Sequence, residues 1–119
     1  MFNVIPMTED YIDDAAYIDE SCFHVPWTRK DFEREIKENN MAIYYVAVDE
    51  EGKAAGYAGM WHVVNEGHST NVAVLGKYRG NGIGDMLMEA LEKRARELEM
   101  IGITLEVRIS NYKAQKLYT

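Results

Sequence analysis

The stretch VLGKYRGNGIGDMLM, residues 74–88, joins the end of an apolar run to the start of an amphipathic one. Asn71 to Leu75 reads as a strand. Arg79-Gly80-Asn81-Gly82-Ile83-Gly84 follows, and a helical pattern begins at once. A glycine-rich turn that delivers a strand into a helix N-terminus is a phosphate-binding device. Glycines let the backbone approach closely, the first helical amides have no intrahelical acceptor, and the helix dipole favours negative charge. The expectation is a phosphorylated ligand, and the kind of glycine loop narrows which one.

The elements around the loop follow from periodicity. Gly82 to Met100 carries Ile83, Met86, Leu87, Ala90, Leu91, Ala95 and Leu98 on one stripe and is the strongest helix of the chain. Ile101 to Ile109, with TLEV at its centre, reads as the strand after it, so Val72 to Ile109 is a parallel, right-handed crossover. Upstream, Phe2 to Pro6, Ile43 to Val48, Ala54 to Val64 and Gly67 to Leu75 read as strands, the second and third joined at Asp49–Lys53 as a hairpin. Thr8 is positioned to cap a helix running to Ser21, with Ile12, Ala15, Ala16 and Ile18 as its buried face. Thr28 is positioned to cap a second, Arg29 to Glu38, through Phe32 and Ile36. Ser110 or Asn111 caps a last helix. The order β-α-α-β-β-β-α-β-α predicts one α/β domain over residues 1–119, with a mixed sheet.

Composition removes several function classes. The 119 residues have 47% hydrophobic content, enough for one core. A net charge of −7 and a pI near 4.9 argue against nucleic acid as the direct ligand and suit a basic partner, such as a cationic peptide or an amine. One cysteine, Cys22, excludes an internal disulfide, and it reads as a buried apolar residue. There is no apolar run near the ~18 residues of a membrane span, and the N-terminus lacks a signal-peptide pattern, so a cytoplasmic protein is expected. His24, His62 and His68 have no metal-ligand spacing with one another, and no metal is expected. Asp13-Asp14 and Asp49–Glu51 read as solvated acidic surface.

Three glycine loops compete for residues 79–84. A nucleotide P-loop needs Lys-Ser/Thr after its last glycine, where this chain has Asp85-Met86. The dinucleotide fingerprint needs G-x-G-x-x-G, and here the spacing is G-x-G-x-G after an antiparallel meander. Arg/Gln-x-x-Gly-x-Gly/Ala fits Arg79, Gly82 and Gly84. In that loop and in the segment from Thr70 to Thr119, the chain resembles the GCN5-related N-acetyltransferases. LEVRISN (residues 105–111), KLYT (residues 116–119) and HVPWT (residues 24–28) are similar to the bacterial ribosomal-protein-alanine N-acetyltransferases, which acetylate the N-terminal alanine of ribosomal protein S18.

The resemblance implies an acyl-CoA N-acyltransferase fold and acetyl-CoA as acetyl donor. It places the pyrophosphate on Arg79, Gly80, Asn81, Gly82, Ile83, Gly84 and Asp85, with Lys77 adding charge. The pantetheine arm pairs with the backbone of Val72, Ala73 and Val74 on a bulged strand that splays from the next one. Members continue past the final tyrosine with two more strands, so the chain is expected to be a C-terminally truncated domain, and a monomer or weak dimer. The implied acceptor is a protein N-terminus; a small amine, another peptide, or coenzyme A binding without catalysis are the competing readings.

The chemistry narrows the acceptor. An α-amine has a pKa of about 8 against about 10.4 for lysine, so near neutrality roughly a tenth of the former is free base and under about a thousandth of the latter. A terminal amine therefore needs only modest help from a base. Strand alternation puts Thr104, Glu106 and Arg108 on one face. Glu106 is then either an exposed residue, a partner for Arg108, or a base; the family's catalytic glutamate stands at this place in LEVR. Tyr118 reads as an aromatic anchor of the last helix, and the family's tyrosine here protonates the departing thiolate. Asn111 is open to capping that helix, to contacting acetyl-CoA, or to both. Pro26 and Trp27 are either a packed helix–helix connection or the family's substrate loop.

Overall fold

The structure, a computed structural model, describes residues 1–63, 65–104 and 108–109. Glu106, Asn111, Tyr118 and the expected last helix lie outside the described residues.

Runs of β-branched and aromatic residues form the strands β1 (Asn3–Pro6), β2 (Ala42–Val48), β3 (Ala54–Val63) and β4 (Glu66–Val74), each antiparallel to the next. The β2–β3 turn is built by Asp49. Its Oδ1 accepts the N–H groups of Glu51 and Lys53, both at 2.9 Å, and Gly52 takes φ +83°. These bonds, the one from Lys53 first, hold the Asp49 carboxyl below its ordinary value, so this acid builds a turn besides being surface charge. The expected strand over 101–109 is recorded as β5 (Gly102–Thr104) and β6 (Arg108–Ile109), both parallel to β4 as the crossover requires.

Among the described residues three α-helices cover the sheet: α1 (Ile12–Cys22), α2 (Arg29–Glu38) and α3 (Ile83–Glu97). The Thr8 expectation is corrected. Residues Glu9–Tyr11 form a 3₁₀ turn, the Thr8 side chain makes no capping bond, and α1 starts only at Ile12. Thr28 does cap α2. Its hydroxyl accepts the Asp31 N–H at 3.2 Å, and the Asp31 carboxylate accepts the Thr28 N–H at 2.8 Å, a reciprocal box. The Thr28 bonds hold the Asp31 carboxyl below its ordinary value. A depressed acid stabilises the fold above its unfolded pKa, and that contribution is lost as pH falls through the folded value. Urea melts should therefore place Thr28→Ala about 1 kcal/mol below the parent at neutral pH. The urea midpoint of Asp31→Asn should vary less than the parent's between about pH 5 and pH 3.

The sheet separates two apolar clusters. Ile12, Ala15 and Ile18 of α1 and Phe32 of α2 meet Tyr44, Val46, Tyr57 and Ala73 on one face. On the other, Ile83, Leu87, Met88 and Leu91 of α3 meet Ala47, Ala58, Met60, Val72 and Val74. Met88 rather than Met86 is the buried methionine of the α3 stripe.

Pairing along β4 is uneven. Gly59 of β3 faces Asn71 while Met60 faces Ser69, so β4 carries one extra residue at Thr70, the expected bulge. Beside it the Tyr44 ring fills the space over Gly59, where a Cβ would lie 2.3 Å from the ring. On the other edge of β4 the pairs are His68↔Thr104 and then Asn71↔Arg108, and the last recorded pair is Val72↔Ile109.

Candidate functional site

The glycine stretch enters α3 through two left-handed positions. Gly80 has φ +90° and Gly82, the N-cap of α3, has φ +74°, which only glycine adopts without strain. The first intrahelical bond is Met86 N–H to the Gly82 carbonyl, 3.1 Å, so the amides of Ile83 and Gly84 stand ahead of the ladder at the positive end of the helix. Among the described residues, a Cβ added at Gly80, Gly82 or Gly84 would meet no atom within 4 Å. The turn is an open cradle with donors at its base, which is what a pyrophosphate requires.

The polar side chains of the loop brace it. The Asn81 amide donates to the Tyr78 carbonyl at 2.9 Å. The Arg79 Nε donates to the Val74 carbonyl at 3.2 Å, and its Nη2 lies 3.9 Å from the Cys22 thiol. Arg79 thus ties the loop to the end of β4 while its guanidinium remains exposed. Cys22 is half-buried rather than an apolar core residue, with its thiol 3.5 Å from the same carbonyl.

A second feature lies on the α1–α2 face. Pro26 and Trp27 occupy the connection between these helices. The Trp27 ring packs on Phe32 at 5.3 Å and also walls a groove of about 640 Å³ with Trp61 and Met41. Asp31, Glu35 and Glu38 against Arg34 make that groove net acidic. Glu35 is only 7% exposed and is fixed by three donors, Tyr44 Oη and Trp61 Nε1 at 2.6 Å each and Asn39 Nδ2 at 2.9 Å. An acidic, aromatic groove suits a cationic peptide better than an anion.

Known proteins decide the family. The model of the acetyltransferase (GNAT) family matches residues 12–119. The chain belongs to that family. It is an N-acetyltransferase, an enzyme that moves an acetyl group to an amine. A putative [ribosomal protein bS18]-alanine N-acetyltransferase of Bacillus subtilis is 37% identical over 107 residues, covering 90% of this chain and 70% of that protein. The crystal structure of the ribosomal-protein-S18-alanine N-acetyltransferase from Escherichia coli superposes with TM-score 0.85 at 26% identity, over 99% of this chain and 74% of that one. The PaiA N-acetyltransferase of Thermoplasma acidophilum, solved with coenzyme A, shares the fold at TM-score 0.80 and 12% identity, over 99% of this chain and 86% of that one.

The acetyltransferase therefore carries its glycine loop, the bulged strand β4 and the Pro26–Trp27 connection around one sheet. Val72, Ala73 and Val74 lie buried at the C-terminal end of β4, directly before that loop. Two buried carboxylates, Asp19 and Glu35, were not read from sequence. Their signal was available: Asp19 follows Ile12 and Ala15 at helical spacing, and Glu35 follows Phe32, so each puts a charge on an apolar stripe. Among the described residues no His, Cys, Asp and Glu group is placed to hold a metal ion, and no helix is long and apolar enough to cross a membrane.

Proposed function

We propose that this acetyltransferase uses acetyl-CoA to acetylate the N-terminal α-amine of a polypeptide, with the N-terminal alanine of ribosomal protein S18 as acceptor. The glycine cradle carries the donor half: positive φ at Gly80 and Gly82, open space over Gly80, Gly82 and Gly84, and the N-terminus of α3 behind them. Arg79 to Asp85 hold the pyrophosphate, and the backbone of Val72, Ala73 and Val74, with Asn111, holds the pantetheine. The acceptor half is supported by the Bacillus subtilis relative, whose name gives that reaction, and by the acidic groove beside Trp27.

Transfer is direct. The neutral amine nitrogen attacks the thioester carbonyl, forming C–N as C–S breaks. Glu106, directly or through one water, takes the proton the nitrogen sheds. A backbone N–H of Val72 to Val74 steadies the carbonyl oxygen as it gains charge. Tyr118 gives the departing sulfur its proton. Residues 1–119 act as one domain, and no metal takes part.

Mass spectrometry of an Ala-initiated S18-like peptide incubated with enzyme and acetyl-CoA should show a single acetyl group on the α-amine. Polyamines and lysine peptides run in parallel should remain unmodified; acetylation of those alone would assign a small-amine or side-chain acceptor. Trp27→Ala should raise the peptide KM about tenfold, the ~1.4 kcal/mol of one aromatic contact, with acetyl-CoA affinity unchanged.

A further inference from the structure

Asp19 is a carboxylate with no solvent exposure, set on α1 in the apolar cluster with Ile18 and Phe32. Placing a charge there is costly unless hydrogen bonds replace its water. Trp27 and Tyr57 are among the donors that supply them. The Trp27 backbone N–H reaches Oδ2 at 2.6 Å, and the Tyr57 hydroxyl reaches Oδ1 at 2.5 Å. Tyr57 is equally buried, and it pairs in register with Ala73 of β4. One carboxylate thus bonds the connection bearing Trp27 with one oxygen and the strand next to β4 with the other. Aromatic packing runs alongside: Trp27 on Phe32, and Phe32 edge-on to Tyr57 at 5.4 Å.

We infer that Asp19 and Tyr57 form a buried latch that sets the Pro26–Trp27 connection at a fixed distance from β4, and that this latch governs acceptor affinity. The inference rests on the proposed role of that connection in holding the acceptor. Neither latch residue touches the acceptor; both are positioning residues. An apolar residue at position 19 would pack the helix without holding the loop, because the Trp27 N–H would have no acceptor there. Held in place, the loop presents Trp27 with its ordering already done before the peptide arrives, which lowers the cost of binding. Tyr57 meets β4 through its backbone, in register with Ala73, and the turn Gly76–Tyr78 stands between β4 and the glycine cradle, so removing the Tyr57 hydroxyl leaves the backbone that serves the donor in place.

The test uses Tyr57→Phe, which keeps the ring and removes only the hydroxyl, and Asp19→Asn, which keeps the shape and removes one acceptor. Each should raise the KM of an Ala-initiated peptide about tenfold, with kcat and the KM of acetyl-CoA within about twofold of the parent. A merely structural role would lower thermal stability without moving the peptide KM, or raise both KM values together, and either result overturns the latch. The chain has two tryptophans, Trp27 and Trp61, so a Trp61→Phe background isolates the emission of Trp27. There, Tyr57→Phe should red-shift that emission and increase acrylamide quenching; unchanged spectra overturn the latch with no acceptor needed. Trp27→Ala separates the two ideas. If it leaves the peptide KM unmoved, the acceptor-loop reading fails. If it raises KM while neither latch variant does, that reading stands and the latch falls. Should Asp19→Asn not fold, Tyr57→Phe decides alone.

Discussion

Gly82→Val is expected to abolish acetyl-CoA binding. Isothermal titration of the folded variant should show at least about a hundredfold loss of affinity, some 2.7 kcal/mol or more. Two effects act in the same direction. A β-branched residue at φ +74° sits in the left-handed region, at a cost of about 1–2 kcal/mol, and it escapes by moving the entry to α3. The valine side chain also projects into the space over the turn, where a Cβ meets no atom of the described residues within 4 Å. On the proposed reading that space belongs to the diphosphate, which would approach the amides of Ile83 and Gly84 closely. The loss is thus larger at the ligand than in the fold. Retained affinity in a variant with native circular dichroism would remove the cradle assignment.

Glu106→Gln is expected to lower kcat by about 10²- to 10³-fold at neutral pH, in line with removal of a general base. Glutamine keeps the shape and hydrogen-bonding reach of glutamate and cannot take up the proton of the attacking nitrogen. Acetyl-CoA affinity should stay within about twofold of the parent, because the proposed donor contacts lie on the glycine loop, β4 and Asn111. Activity should return in part at alkaline pH, where more of the α-amine is already neutral. Binding lost together with turnover would instead give Glu106 a structural role.

Much of this was legible because local chemistry and global fold agree. The bounds of α2 follow from Thr28, Asp31 and the Phe32–Ile36 spacing, and they agree with the structure to the residue. The parallel crossover followed from a strand, a glycine turn, an apolar helical stripe and a second strand taken together. Thr8 misled because the same residue types that cap an α-helix also open a 3₁₀ turn, and the choice depends on how Met7 and Tyr11 pack. Asp19 was missed for a different reason. Its spacing from Ile12 and Ala15 puts it on the apolar stripe, but the partners that let a carboxylate stay there, Trp27 and Tyr57, are 8 and 38 residues away. Arg79 was expected on the phosphate side; its bond back to the Val74 carbonyl, five residues away, depends on the fold of the intervening turn, which no side-chain spacing announces.

The uneven pairing about Thr70 has a geometric consequence. Over one stretch of sheet, Trp61 to Gly59 on β3 takes two steps while His68 to Asn71 on β4 takes three. The surplus residue bends β4 and sharpens its twist there. The two strands cannot slide by one place without setting that surplus against the wrong neighbour, so their alignment is locked at the bend.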